Sequence, residues 1–319
     1  MPPGDREAGR ATQHVHCGAR AAAQGARPEV QPPHRPVRAS ALHGGRAAAR
    51  FGQVSGVPAV RAAASGRRGA GARYRERAGL DRAEESRQPA AVKPLVIAHR
   101  GASSIALENS LAAFRAAAGQ GADGVELDVH ATIDGEIVVH HDPSVLGLPI
   151  AQARWRDLAT VPLANGEPIP TLAQALDVLG KLKVFVEVKV LDPRWDERLL
   201  AVLDRGPNPS GYAVHSFAFH VVRRLGEKRP ALPRGVLSEV ATRNPKQTLE
   251  DASAQTLWQE RTTLDEALFE TVRGLGAGII VWTVDDPDDM QRFARWGVDG
   301  ICTNHPERAR PIVDASRAP

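Results

Sequence analysis

The chain has 319 residues, 42% hydrophobic and 24% charged, an ordinary globular composition. Two cysteines, Cys17 and Cys302, exclude a disulfide framework and a cysteine-rich zinc site, and no apolar run reaches the ~18 residues of a membrane-spanning helix. The net charge of +4 is unevenly spread. Residues 1–90 hold 16 Arg, no Lys and 7 acidic residues, a net +9, while the remainder holds 25 basic and 30 acidic residues, a net −5.

The sequence pI of about 9.4 therefore belongs to the first 90 residues and does not describe a basic catalytic surface. That segment, rich in Ala, Gly, Arg and Pro, shows no sustained hydrophobic period, so it is expected to be a disordered extension. It lacks the apolar stretch of a secretory signal, which places the protein in the cytoplasm. Methionine occurs at positions 1 and 290, and Arg without Lys is what a GC-rich frame upstream of a true start would encode. A mis-set start, with the true one near Val92 or Val96, is thus the first reading of this segment and a disordered tail the second. A nucleic-acid arm would need salt-dependent binding lost with residues 1–90, and no nucleic-acid partner is expected.

From residue 91 onward the pattern changes. Short apolar runs predict strands over 95–98, 124–129, 184–190, 212–216, 235–238, 254–257, 279–283 and 299–302, with a hairpin arm at 136–140. Helical spacing predicts helices over 108–118, 171–180, 196–204, 218–227, 263–275 and 286–295. Eight strands alternating with helices argue for parallel βαβ units. No Gly-x-Gly-x-x-Gly turn follows the first strand, so a dinucleotide fold loses its main support. The expected architecture over 91–319 is a (β/α)8 TIM barrel with a small insertion after the second strand.

Polar residues interrupt those strands at particular places. In "VELDV" Glu126 and Asp128 share one face and Val125, Leu127 and Val129 the other. In "VFVEVKV" the set Val184, Val186, Val188 and Val190 should face the helices, leaving Phe185, Glu187 and Lys189 inside. His99 and Arg100 come directly after the first strand, and "IVVHH" puts His140 and His141 on opposite faces. Asn109 and Ser110 look like ordinary helix caps. His99, Glu126, Asp128 and Glu187 all map to the C-terminal mouth, where barrels of this kind carry their chemistry.

Three carboxylates converging there repel one another without a cation, and hard oxygen donors suit Mg²⁺ or Ca²⁺ better than zinc. One such cation can neutralise a phosphate, and two histidines can supply an acid and a base. Arg100 and Lys189 add positive charge for non-bridging oxygens. The combination reads as phosphodiester cleavage.

The sequence resembles the glycerophosphodiester phosphodiesterase family over residues 94–310. The motifs are "AHRGASSIALENSLAAF", "GADGVELDVHATIDGEIVVHHDPSV", "PTLAQALDVL", "VFVEVKV" and "VWTVDDPDDMQRFARWGVDGICTNHPE", in family order and with family-like spacing. The resemblance implies a TIM barrel, His99 and His141 as the acid–base pair, and Glu126, Asp128 and Glu187 as ligands of one divalent cation, Mg²⁺ or Ca²⁺. It further implies Arg100 and Lys189 as phosphate contacts and Trp282 near the mouth. The implied substrate is a glycerophosphodiester such as glycerophosphocholine or glycerophosphoethanolamine, cleaved to an alcohol and sn-glycerol 3-phosphate. Three features depart from the family pattern: Leu107 in place of a common proline, Asp285 in place of a frequent asparagine, and a short segment after the hairpin. The alternative is a phospholipase D-like enzyme acting on lysophospholipids or sphingomyelin, which would need an apolar groove. Leu146, Leu148, Ile150, Trp155 and Leu158 are the candidates for one.

Overall fold

Parallel strands buried on both faces need helices on one side and packed side chains on the other, and the computed structural model supplies both over the residues it describes, 93–316. The extension at 1–90, and with it Cys17, lies outside the described residues. In chain order the first half comprises β1 (Leu95–His99), α1 (Leu111–Gly119), β2 (Gly124–Ala131), β3 (Ile137–Val139), β4 (Ser144–Val145), β5 (Leu148–Pro149), α2 (Trp155–Leu158) and α3 (Leu172–Leu179). The second half comprises β6 (Lys183–Val188), α4 (Asp196–Arg205), β7 (Tyr212–Ser216), α5 (Phe219–Lys228), β8 (Arg234–Ser238), α6 (Pro245–Ala252), β9 (Thr256–Glu260), α7 (Glu266–Gly274), β10 (Gly278–Trp282), α8 (Pro287–Trp296), β11 (Gly300–Thr303) and α9 (Pro306–Ala315).

Strands β1, β2, β6, β7, β8, β9, β10 and β11 each pair in parallel with the next, and β11 returns to β1 with Leu95 opposite Gly300. The result is a closed eight-stranded (β/α)8 barrel. The long β2 pairs with β1 through its first half and with the antiparallel β3 through its second. The short β4–β5 hairpin and α2 form the insertion, which has its own small core of Val138, Val145, Ile150, Leu158 and Ile169.

Side-chain alternation sorts the layers as the sequence predicts. Val125, Leu127, Val129, Val184, Val186 and Val188 pack outward against the helices. Ile97, Phe185, Leu237, Trp258, Ile280 and Cys302 fill the barrel interior. Val190 is a correction: it is 76% exposed and does not face the helices. The β2–β6 ladder ends at Val129 opposite Val188, and the chain then leaves the sheet. Three helices lie outside the predicted set: the four-residue α2 of the insertion, α6 and α9. In α6 only Pro245, Leu249 and Ala252 are buried, which leaves little apolar period to read. In α9 an internal Pro311 argues locally against a helix. Strand β9 begins two residues later than predicted because Ser253, in the left-handed region, ends α6 and Gln255 caps a neighbouring strand.

That cap is one of three alike. The residue just before β2, β9 or β11 turns its side chain sideways and accepts the N–H at the start of the adjacent strand. Asp123 accepts from Val96 at 2.9 Å, Gln255 from Arg234 at 2.9 Å and Asp299 from Ile279 at 2.7 Å. The strand starts lie at the end opposite the mouth, so these contacts satisfy backbone donors that the parallel ladder leaves over. Asp299 also meets the Arg273 guanidinium at 3.0 Å, but that pair is about one-third exposed and adds little. Asp299→Ala is expected to destabilise the barrel by about 1–3 kcal/mol, chiefly through the orphaned Ile279 N–H. Thermal unfolding should register this as a drop of roughly 2–12 °C. An unchanged midpoint would show that the cap does not anchor the strand start.

Candidate active site

The mouth is built outward from three strand ends. β1 stops at His99, and Arg100 and Gly101 both take positive φ (56° and 84°), which turns the chain back over the barrel. A Cβ on Gly101 would sit 2.8 Å from the Ala113 backbone, so this turn requires glycine. The Arg100 N–H then donates to Glu126 Oε2 at 3.2 Å. The register sets His99 opposite Glu126, Asp128 opposite Glu187, and Glu187 opposite His215. His99, Arg100, Glu126, His141, Glu187, Lys189 and Trp282 all line one pocket of about 140 Å³. Asp128 lies below its surface, fully buried.

Asp128 carries the densest set of partners. Lys189 Nζ is 2.8 Å from one oxygen. Arg100 Nε at 3.2 Å and Asn109 Nδ2 at 2.7 Å meet the other. Burial pushes this carboxyl upward, but Lys189 and Arg100 outweigh it and hold it down at about 2. Asn109 is therefore no ordinary cap; Ser110 alone caps α1, and Asn109, buried with φ 56°, is committed to Asp128. Lys189 also reaches Glu187 at 2.7 Å. Even so, burial followed by repulsion from Asp128 raises Glu187 to about 7. Burial and the same neighbour raise Glu126 well above the usual carboxylate range. Two cations thus face three buried carboxylates, and the site is short of positive charge.

Glu126, Glu187 and His215 each offer one atom that could hold a metal ion, all within 4.8 Å of one another. The donor set fits a divalent cation: two buried carboxylates favour it strongly, and burial keeps the His215 imidazole neutral, pushed down to about 3. The sequence reading missed His215. The parity argument used for Glu126 would have found it, since "YAVHS" puts it on the inward face with Ala213. Its ring stacks on Trp258 at 4.1 Å, and Trp258 can lie there because Gly235 beneath it has no Cβ.

The two histidines are held differently. His99 Nδ1 lies 2.8 Å from Asn304 Oδ1, while Asn304 Nδ2 and N–H both donate to Asp285, at 2.7 and 2.8 Å. Because the amide nitrogen faces the carboxylate, the oxygen faces the imidazole, and His99 must donate from Nδ1. Its Nε2 is left as an acceptor, 4.0 Å from Glu126. Burial, then the Arg100 charge, lowers the His99 pKa. His141 is half-exposed at the hairpin end; its Nδ1 meets Asp142 at 2.9 Å, and His130 Nε2 donates to its carbonyl at 3.2 Å. His140 turns away into a separate hollow beside Glu108 and Leu146. Of the five groove candidates, Ile150 and Leu158 are wholly buried and Trp155 packs on the same small core, leaving Leu146 and Leu148 exposed. Three of the five are thus taken up in the insertion's own core, and of the five Leu146 alone lines the hollow beside His140.

Comparison with known proteins identifies relatives in both sequence and fold. Residues 99–308 match the Glycerophosphoryl diester phosphodiesterase family. A glycerophosphodiester phosphodiesterase of Caldanaerobacter subterraneus subsp. tengcongensis is 32% identical over 239 residues, covering 70% of this chain and 98% of the relative. A glycerophosphodiester phosphodiesterase structure from Parabacteroides distasonis superposes with TM-score 0.65 at 27% identity, covering 71% of this chain and 99% of that one. A phosphodiesterase of Oleispira antarctica, solved with its product sn-glycerol-3-phosphate, shares the fold with TM-score 0.65 at 23% identity, covering 69% and 97%. The matched region spans the histidine at the end of the first strand and the carboxylate cluster at the mouth, and the chain belongs to the glycerophosphoryl diester phosphodiesterase family.

Proposed function

We propose that the protein hydrolyses glycerophosphodiesters such as glycerophosphocholine to an alcohol and sn-glycerol 3-phosphate, with the help of one divalent cation. The observation that carries the reading is the His99 imidazole, fixed by Asn304 so that Nε2 opens into a pocket walled by carboxylates, Arg100, Lys189 and His141. His99 would take a proton from the attacking water at Nε2 as the new P–O bond forms, the water oxygen staying on the phosphate of sn-glycerol 3-phosphate. His141 would give a proton to the departing alkoxide as the old P–O bond breaks. Alkoxides are poor leaving groups, so each transfer is worth on the order of 10²–10⁴ in rate. Arg100 and Lys189 would face the non-bridging oxygens. Glu126 and Glu187 would hold the cation, Mg²⁺ or Ca²⁺, with His215 completing the set, whereas Asp128, the third ligand that the family resemblance implies, is engaged here by Lys189, Arg100 and Asn109. Bound there, such an ion supplies positive charge to a phosphate oxygen.

The direct test is glycerol 3-phosphate release from glycerophosphocholine by the full chain, with Mg²⁺ or Ca²⁺, with EDTA, and by His141→Ala. Release should require the cation and fall by about 10²-fold or more in the variant. Undiminished release in EDTA would remove the cation from the reaction, and an unimpaired variant would remove His141. Asn304→Ala separates positioning from binding. It should lower kcat on the order of 10²-fold through a misplaced His99, with KM little changed. The ¹⁵N shifts of His99 should lose the signature of a single Nδ1–H tautomer. A normal kcat with a raised KM would instead make Asn304 a substrate contact.

A further inference from the structure

The pocket has two unlike halves. From β1 through β2 to β6 its wall is ionic: His99, Arg100, Glu126, Glu187 and Lys189. From β7 round to β10 it is Phe217, Leu237, Trp258 and Trp282, with the neutral His215 ring stacked on Trp258 and the Glu239 carboxylate exposed at the rim after β8. Phe217 meets Trp282 edge-on, ring centroids 5.8 Å apart and planes at 78°, so two aromatic walls stand nearly at right angles. Phe217 is 42% exposed. Among the described residues Glu239 forms no ion pair, so its charge is open to a ligand.

We propose that Phe217, Trp282 and Glu239 form a subsite for the quaternary ammonium of a choline-type head group, an inference that rests on the phosphodiesterase reading above. A glycerophosphodiester has two arms on its phosphorus, and the halves of the pocket suit different ones. The glycerol arm carries two hydroxyls that need partners once water is displaced. The ionic half is dense in acceptors and donors, whereas aromatic walls would leave a diol largely unpaired. A trimethylammonium group has no N–H or O–H to satisfy. It is attracted to the faces of Trp and Phe by their quadrupoles and to a carboxylate by its charge. Arg100 and Lys189 sit on the opposite wall, where they repel that cation and attract the phosphate, which orients the substrate across the pocket.

The test compares two substrates of the same shape: glycerophosphocholine and its uncharged isostere, in which carbon replaces the ammonium nitrogen. The full chain, loaded with Mg²⁺ or Ca²⁺, is expected to favour the cationic ester by about tenfold in kcat/KM. Glu239→Gln and Phe217→Leu should each pull that ratio toward unity. Equal kcat/KM for the two esters overturns the inference while leaving the phosphodiesterase reading intact. Variants that slow both esters alike, at a constant ratio, also overturn it and place these side chains against the glycerol arm. Hydrolysis of neither ester by folded, cation-loaded protein removes the phosphodiesterase reading, and the subsite with it.

Discussion

The surroundings of the mouth are arranged around one electrostatic constraint: three carboxylates lie buried within a few ångströms, and Lys189 and Arg100 balance only part of their charge. A buried ion left uncompensated is costly, so the neighbouring structure is committed to holding the compensation in place. The positive-φ turn at Arg100 brings a guanidinium over Asp128. Asn109 surrenders a capping position to reach the same carboxylate, and the chain leaves β6 at Val188 so that Lys189 can fold back. The residual negative charge would suit a divalent cation held by Glu126, Glu187 and His215.

Local pattern carried a large part of this into view. Alternation in "VELDV" and "VFVEVKV" was enough to turn Glu126, Asp128 and Glu187 inward, because a parallel strand shows its valines to the helices. What stayed hidden depends on closure. Asn304 lies 205 positions from His99 and meets it because β11 returns to β1. No window of sequence contains that pairing, and Asp285, visible only as a departure from the family pattern, gains its meaning from it. His215 was legible by parity but stood in a strand without a neighbouring charge to draw notice. The short, largely polar α6 and the proline-bearing α9 form because packing against the barrel outweighs their own propensities.

The two pocket histidines are mounted differently. His99 is buried at a strand end, with one nitrogen spoken for by an amide that is itself pinned twice by a carboxylate. His141 stands on the hairpin end, tethered through its carbonyl by His130 and through its ring by the exposed Asp142. A base must be aligned before the nucleophile arrives, whereas an acid must follow a leaving group whose identity can vary. In the proposed reaction the stiffer mounting would thus belong to the base.

The side-chain caps at the strand starts have a consequence for how such a protein can change over generations. Asp123, Gln255 and Asp299 pin neighbouring strands at the rim farthest from the chemistry, so strand register there does not depend on the loops at the mouth. A ring fastened at one rim tolerates retooling at the other. Loops that follow β7, β8 and β10 can exchange an aromatic for an aliphatic residue, or a carboxylate for an amide, without slipping a strand or disturbing the carboxylates beneath. Diversification of head-group preference within one lineage would then proceed by loop substitution, with the phosphate-handling half left untouched.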